Sequence, residues 1–387
     1  MNARTPRGFR DILPAEAALR EVITSSIQDL FKLWGYEPVE TPTLETLSAL
    51  DGHGFASAAT FKLFDSDGEL LVMRPDITLP IARLVGTRIG APTNGQALRL
   101  RYKQTVFREE RVFETQARAL TQIGVECIGL ASMAADTEIL LLVAEALELA
   151  GITDCTIALC TVSILQAILD ACVSNGQLTP DWRPAVLAAW HKSDLVAVDK
   201  LMDDPGVDTV YGQVIRSLAR LQGGIEAIER CAQLISRLKT NGSTDAQAIQ
   251  RCAAGLERLQ QTFLLITELR PDTDWLIDFS LMSSFDYYTG LVFAAFAPGT
   301  GYPLASGGRY DQTLAQFGTP APAIGFALVL ERLIATLMAS ETTGKLSSTS
   351  SSAQRISARS AELAEAFLQA KRMRAEGIAV IVEEGEA

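Results

Sequence analysis

The sequence predicts an α+β fold, in which an antiparallel sheet is flanked by helices and carries a helical insertion. Segments with the two-residue periodicity of strands lie in both halves of the 387-residue chain. Between them, residues 163–272 show the three- and four-residue periodicity of amphipathic helices. Residues 65–68, Asp-Ser-Asp-Gly between two apolar segments, predict a hairpin, which is the usual connection of antiparallel strands.

The first half of the chain opens with a predicted helix over residues 15–34. Pro14 stands near its start and Gly35 just beyond its end, and its apolar residues share one face. Pro38 and Pro42 then favour an extended segment. The remaining predicted elements of this half are strands at 61–64, 69–73, 98–108, 121–128 and 156–160 and a helix at 137–150.

The second half begins with the insertion, in which we predict three helices centred on residues 165–172, 228–238 and 256–266. Strands at 275–279, 291–296 and 323–327 and a helix at 328–338 follow. A serine-rich segment then predicts a flexible linker. The predicted organisation is a core in two parts, 1–162 and 273–339, the insertion 163–272, a linker 340–357 and a short α/β unit 358–387.

Composition excludes several classes of protein. The net charge is −12, which argues against nucleic acid as a partner because each phosphate contact needs a cation. With two histidines and no pair of cysteines at C-x-x-C spacing, we expect no metal site among the six cysteines. No apolar run approaches the roughly 20 residues of a membrane span, and the N-terminus lacks the apolar core of a signal peptide. We therefore expect a cytoplasmic protein that binds no membrane.

Polar residues alternate along the predicted strand 121–128. Gln122, Gly124 and Glu126 share one face, opposite three apolar residues. From the residues alone two interpretations stay open. This face is either solvated, or it places an amide and a carboxylate beside a binding site.

Two aromatic segments edged by glycine, residues 285–290 and 306–311, lie inside otherwise apolar sequence. They bring tyrosine hydroxyls, carboxylates and the guanidinium of Arg309 onto strands and tight turns. Such groups suit the recognition of a small zwitterion, which offers both an ammonium and a carboxylate.

These segments and several others resemble, in order, the catalytic core of class II aminoacyl-tRNA synthetases, and of histidyl-tRNA synthetases in particular. The resemblance covers about residues 5–338. Residues 36–42 resemble the dimer-forming motif 1, 107–111 resemble motif 2 and 324–333 resemble motif 3. The other matching segments are 8–14, 73–78, 122–126, 285–290 and 306–311.

The resemblance implies a pocket for histidine. The positions of Asp76, Thr78 and Gln122 match those that hold the amino acid's ammonium group. Glu126 and Tyr288 match those that hold the imidazole ring. A carboxylate and a hydroxyl can read the two ring nitrogens, and an analogue without them leaves buried polar groups unpaired.

Tyr310, Arg108 and Tyr287 complete the predicted site. Tyr310 is expected beside the imidazole, and Arg108, with Arg332, retains the capacity to bind an anion. For Tyr287, packing against the core is an equally good interpretation, since adjacent strand residues point to opposite faces.

The sequence also departs from the synthetase pattern. Ser283 stands where the synthetases carry an arginine that stabilises charge during adenylate formation, and loss of such a cation costs on the order of 100-fold in rate. Thr115 and Gln116 replace a Gly-Arg pair, and Val329 replaces a glycine, which narrows the space for ATP. After the linker, about thirty residues without a basic face stand where a synthetase has its anticodon-binding domain.

A retained histidine pocket without the activating arginine is similar to one branch of this family, the regulatory subunits of ATP phosphoribosyltransferase. The resemblance implies a non-catalytic subunit, without cofactor or catalytic residues, that pairs with a short-form catalytic subunit. The family subunit is needed for activity and for feedback inhibition by L-histidine in the first step of histidine biosynthesis. It also implies a homodimer within a hetero-oligomer. The alternative interpretation is a divergent histidyl-tRNA synthetase.

Overall fold

The computed structural model describes residues 4–50, 60–92, 95–109, 117–174, 177–240, 246–281, 287–339, 354–358 and 362–384. In chain order the strands are β1 (Glu37–Pro38), β2 (Leu44–Thr46), β3 (Lys62–Phe64), β4 (Leu70–Met73), β5 (Leu98–Phe107), β6 (Ala119–Ile128), β7 (Thr156–Thr161), β8 (Gln222–Gly223), β9 (Asp274–Asp278), β10 (Leu291–Phe296), β11 (Ala305–Arg309), β12 (Ala323–Val329), β13 (Gln354–Ala358) and β14 (Val380–Glu384).

The helices follow the same order. They are α1 (Pro14–Leu33), α2 (Leu47–Leu50), α3 (Thr78–Leu84), α4 (Met133–Leu149), α5 (Val162–Ser174), α6 (Trp182–His191), α7 (Leu195–Leu201), α8 (Thr209–Leu218), α9 (Ile225–Thr240), α10 (Ala246–Leu269), α11 (Leu330–Ala339) and α12 (Leu363–Ala375). A π-helical turn, Val85–Ile89, continues α3, and a 3₁₀ turn spans Thr313–Phe317. None of the helices in the described ranges is long and apolar enough to cross a membrane.

Within the described residues a nine-stranded sheet forms the centre, in the order β1-β5-β6-β12-β11-β10-β7-β9-β8. Its pairs are antiparallel except β1 with β5 and β7 with β9, which are parallel. Both edge strands, β1 and β8, are two residues long. A second sheet, β2-β4-β3, contains the predicted hairpin. The sheet with its flanking helices confirms the predicted fold class.

Strand β6 lies inside the sheet between β5 and β12. Gln122 is 8% exposed and Glu126 only 1%, so both faces of the strand are covered. The interpretation of a solvated polar face is therefore wrong. The alternation was real, but neighbouring elements cover the polar face as well as the apolar one.

Helix α1 covers one side of the sheet through the face that the periodicity predicts. Ile23, Ile27 and Phe31 are buried, and the Phe31 ring meets Phe326 of β12 edge-on at 5.7 Å between centroids. Arg20 of α1 also reaches Glu331 of α11, with 2.7 Å between Nη2 and Oε1. Apolar packing and this ion pair together fix α1 across the sheet.

The insertion contains more helices than we predict from the sequence. The three predicted helices correspond to α5, α9 and α10, and α6, α7 and α8 are additional. Helices α5 and α10 approach closely at Gly255, where an added Cβ would lie 2.4 Å from the Ser163 hydroxyl oxygen. The short strand β8 pairs with β9 and so joins the insertion to the edge of the sheet.

Near the C-terminus, β13 begins at Gln354, inside the predicted linker 340–357. It pairs in parallel with β14, and α12 lies between them in the chain. The second strand of this unit begins at Val380. Strand pairing explains the difference, since β14 gives Gln354–Ala358 a partner that its own sequence does not reveal. Residues 340–353 lie outside the described ranges.

Candidate functional site

Glu126 lies at the centre of the site, on β6 and 1% exposed. Its two carboxylate oxygens accept hydrogen bonds from two hydroxyls. Thr78, the first residue of α3, donates at 2.8 Å, and Tyr310, just after β11, donates at 2.5 Å. Two elements far apart in the chain therefore meet at one carboxylate.

Asp76 forms the second acidic position, two residues before Thr78. It accepts a hydrogen bond from the Tyr287 hydroxyl at 3.1 Å and another from the Leu79 backbone N–H at 3.1 Å. The Tyr287 ring also meets the Tyr310 ring edge-on at 5.8 Å. The Tyr287 ring thus packs against an aromatic neighbour, while its hydroxyl belongs to the same polar cluster as Asp76.

Tyr288 packs beside this cluster. Its ring lies 4.7 Å from the Tyr287 ring, measured between centroids, and 8% of the residue is exposed. An added Cβ at Gly308 would come within 2.7 Å of the Tyr288 ring. The glycine therefore provides the space that the ring occupies.

Gln122 lies on the same strand, β6, four residues before Glu126. It is buried, and its side-chain oxygen has no hydrogen-bond partner within the described residues. It lies opposite Gln104 of β5 and Val329 of β12 in the register. Gln104 already accepts a hydrogen bond from Thr41 at 2.9 Å. A buried acceptor without a partner is costly unless a ligand or water supplies a donor.

Burial sets the charge state of the two carboxyl groups. It raises the pKa of Glu126 from its ordinary 4.5 to about 8, against the opposing hydrogen bonds from Tyr310 and Thr78. Burial likewise raises the pKa of Asp76, while the Leu79 N–H and the charge of Arg108 oppose that rise. At neutral pH the Glu126 carboxyl is therefore mostly protonated when the site is empty.

Arg108 is near Asp76 and its Nε donates to the Pro75 carbonyl oxygen at 3.1 Å. Arg332 and Arg309 make their contacts away from Asp76 and Glu126. Arg332 donates to the Pro303 carbonyl oxygen at 2.7 Å and covers the Tyr302 ring at 5.2 Å. Arg309 Nε donates to Asp136 at 2.8 Å, so its guanidinium does not face Glu126.

Tyr102 of β5 is a member of the cluster that the sequence reasoning missed. It is buried, and its hydroxyl lies close enough to Thr78 and Glu126 to influence the pKa of Glu126. Its strand partner is Gly124, where an added Cβ would lie 2.6 Å from the Tyr102 hydroxyl. The pairing of a tyrosine with a glycine across two strands is the signal that could have revealed it.

Ser283, Thr115 and Gln116 lie outside the described residues, so their departures from the synthetase pattern remain sequence observations. Val329 ends β12 and is 7% exposed. Within the described ranges, no group of three His, Cys, Asp or Glu side chains could hold a metal ion.

A prediction on stability follows from the raised pKa of Glu126. Between about pH 5 and pH 8 the folded chain keeps a proton that the unfolded chain, with its ordinary pKa of 4.5, releases. The free energy of unfolding should therefore fall as the pH rises through this range. Glu126→Gln removes this dependence, so its stability relative to the unaltered chain should improve by a few kcal/mol at most between about pH 5 and pH 8.

Urea denaturation across that pH range measures the effect. Glu268→Gln, at an exposed position of α10, is the control and should follow the unaltered chain at every pH. Parallel stability curves for Glu126→Gln and the unaltered chain would contradict the prediction.

The antiparallel sheet and the cluster around Glu126 define a protein of the class II aminoacyl-tRNA synthetase type. The family model described as histidyl-tRNA synthetase matches residues 8–333. The chain belongs to the family of ATP phosphoribosyltransferase regulatory subunits, which are histidyl-tRNA synthetase-like proteins.

Several curated relatives carry that name, including the following two. The one from Moorella thermoacetica is 36% identical over 337 residues, which are 85% of this chain and 80% of the relative. The one from Desulfitobacterium hafniense is 34% identical over 334 residues, covering 86% and 82%. A crystal structure from Bacillus halodurans, titled an ATP phosphoribosyltransferase regulatory subunit/histidyl-tRNA synthetase, has a TM-score of 0.83 at 27% identity and covers 99% of this chain and 93% of its own.

Proposed function

We propose that this chain is a non-catalytic regulatory subunit of ATP phosphoribosyltransferase. A short-form catalytic subunit needs it for activity, and the chain transmits feedback inhibition by L-histidine. The single observation that carries the proposal is the Thr78–Glu126–Tyr310 cluster. It keeps the polar groups of a histidine pocket in a sequence that has Ser283 at the position of the activating arginine.

Histidine would bind by donating a hydrogen bond to the unpartnered Gln122 oxygen and by replacing some of the hydrogen bonds that the side chains of the cluster make with one another. Its ammonium would be held by Asp76, Thr78 and Gln122, whose oxygen is a buried acceptor without a partner. Its imidazole would lie between Glu126 and Tyr288, with Tyr310 beside it. Tyr287 would orient Asp76 through its 3.1 Å hydrogen bond, and Arg108 would contribute positive charge near the ligand's carboxylate.

The regulation is a linkage between two binding equilibria. Histidine would favour one arrangement of the complex over another, and the catalytic subunit would be less active in that arrangement. A coupling free energy of about 1–3 kcal/mol is enough to alter affinity by roughly 5- to 150-fold. Residues 36–42, which resemble motif 1, would supply contacts of a homodimer within the hetero-oligomer.

The test is co-expression with a short-form ATP phosphoribosyltransferase catalytic subunit. We expect the two chains to co-purify, the catalytic subunit to be active in the presence of this chain, and added histidine to lower that activity. Unchanged phosphoribosyltransferase activity on adding this chain, with or without histidine, would refute the proposal.

Substitutions at Glu126 test the pocket itself. Glu126→Gln and Tyr310→Phe should each weaken histidine binding by roughly tenfold or more, because the first removes the carboxylate that would pair with the imidazole and the second removes the hydroxyl that holds this carboxylate. Titration calorimetry on the purified chain measures the affinity. Glu268→Gln should bind histidine like the unaltered chain, and equal affinity in all of these proteins would place the histidine site elsewhere.

A divergent histidyl-tRNA synthetase is the second candidate. The match of residues 8–333 to the histidyl-tRNA synthetase model favours it. Histidine-dependent exchange of pyrophosphate into ATP separates the two functions. We expect none from this chain, and clear exchange activity would favour the synthetase.

A further inference from the structure

A cleft of about 690 Å³ lies between the helical insertion and the sheet. Its walls include Arg309 and Tyr288 of the core and residues of α5, α6 and α10 in the insertion. Tyr287 and Tyr288 line both this cleft and the site around Glu126, whereas Glu126 and Asp76 do not line the cleft. Its volume is within the range of small-molecule sites, which is about 300–1,000 Å³.

Arginines dominate the charge of this cleft. Four of them line it against three aspartates, and they come from α6, α10 and the end of β11. The chain as a whole has a net charge of −12, whereas the side chains that line this cleft carry more positive than negative charge. The arginines are Arg183, Arg251, Arg258 and Arg309, and the aspartates are Asp136, Asp170 and Asp311.

Two of these arginines depend on one carboxylate. Arg183 and Arg251 each make a 3.1 Å contact with Asp170, through different oxygens. Their side chains are 34% and 47% exposed, so both guanidinium groups remain partly accessible in residues that line the cleft. One aspartate cannot neutralise two guanidinium groups, and a positive charge is left over.

Two buried hydroxyls in the same walls have no hydrogen-bond partner within the described residues. Thr262 is 1% exposed and Thr313 is 2% exposed, and both line the cleft. A hydroxyl in this state loses its hydrogen bonds to water and gains none, unless something in the cleft supplies them.

We propose that this cleft is a binding site for a small phosphate-bearing molecule, adjoining the site around Glu126 and sharing Tyr287 and Tyr288 with it. Arginine and hydroxyl donors from several directions suit a tetrahedral phosphate, whose oxygens accept on all sides. A carboxylate offers only two oxygens in one plane. The inference depends neither on histidine binding nor on the catalytic subunit.

Titration calorimetry of the full chain with inorganic pyrophosphate, at low ionic strength, tests the proposal. We expect a dissociation constant of about 1 mM or lower. Citrate, which also carries several negative charges, should bind at least about tenfold more weakly. No detectable binding of pyrophosphate, or equal binding of citrate, would overturn the proposal.

A double substitution, Arg183→Gln with Arg251→Gln, should weaken pyrophosphate binding about tenfold or more. The matched control is Arg216→Gln with Arg220→Gln. These two arginines also share Asp199, with Asp203 as a further partner of Arg216, and are 30% and 43% exposed, but they do not line the cleft. An equal loss of affinity in the two double variants would show a general charge effect and overturn the assignment.

Thr313→Val gives a test in which folding is not at risk, because the hydroxyl that it removes has no partner to lose. Binding of pyrophosphate should weaken about three- to tenfold, while the urea midpoint stays unchanged or rises. Thr24→Val removes another buried, unpartnered hydroxyl, on α1 and outside the cleft, and should leave the affinity unaltered. Unchanged binding by both valine variants would exclude Thr313 from the site and contradict the proposal that arginine and hydroxyl donors bind the phosphate together.

Discussion

Replacing Arg309 with methionine is expected to destabilise the fold by about 3–5 kcal/mol. Arg309 is 3% exposed, and its guanidinium contacts Asp136, which is 1% exposed, and Asp311 at 2.9 Å. Methionine fills similar space but leaves the Asp136 carboxylate buried, with Arg258 as its one remaining cationic partner among the described residues. Urea denaturation at neutral pH measures the loss.

The same variant should be less damaging in acid. Burial raises the pKa of Asp136, and Arg309 is the largest influence that opposes this rise. Without Arg309 the carboxyl takes up a proton more readily, so the loss of stability should be smaller at about pH 5 than at about pH 8. Arg220→Met, at a 43% exposed ion pair with Asp199, should cost less than about 1 kcal/mol. A similar cost for both variants would mean that burial does not strengthen the Arg309 pair.

Gly325→Ala is expected to disrupt the site from within the sheet. An alanine Cβ there would lie 1.8 Å from a Glu126 carboxylate oxygen and 2.4 Å from the Val125 carbonyl oxygen. The Val125 carbonyl is part of the backbone of the paired strand β6, so it cannot shift without disturbing the sheet. We expect a loss of about 1–3 kcal/mol in stability. Displacement of Glu126 should also reduce histidine affinity by at least roughly tenfold.

Gly301→Ala is the matched control for this variant. Nothing lies within 4 Å of the Cβ that it adds, so it should change neither stability nor affinity. Calorimetric titration with histidine and urea denaturation on both variants separate the two effects. Retention of full histidine affinity by Gly325→Ala would show that the position of Glu126 is not critical.

The fold was most predictable where local pattern and tertiary packing agree. The strand at 291–296 has the same bounds in the structure, and α1 differs from its prediction by one residue at each end. By contrast, β11 has the sequence Ala-Ser-Gly-Gly-Arg, which contains no β-branched or aromatic residue. It is a strand because β10 and β12 pair with it on both sides, and no local propensity shows that.

The short helices α6, α7 and α8 were missed for a related reason. With 10, 7 and 10 residues, they offer two or three turns of periodicity, which is too little to separate from loop sequence. The buried tryptophans Trp182 and Trp190 of α6 show that packing within the insertion stabilises this helix.

The candidate site was predictable only in part. Resemblance brought Asp76, Thr78, Glu126 and Tyr310 together, and the structure places them in mutual contact or close by. The direction of Arg309 could not be read from the sequence, because it depends on Asp136, more than 170 positions away in the chain. Contacts of that range are decided by topology.

The two-residue strands at the edges of the central sheet affect how this protein can assemble. An exposed edge of ordinary length is a template for strand addition and hence for aggregation. At β1 the edge includes Pro38, which has no N–H to donate, and at β8 it includes Gly223. Within the described residues, these edges offer an incoming chain almost no backbone ladder to extend, so specific association has to rely on side chains.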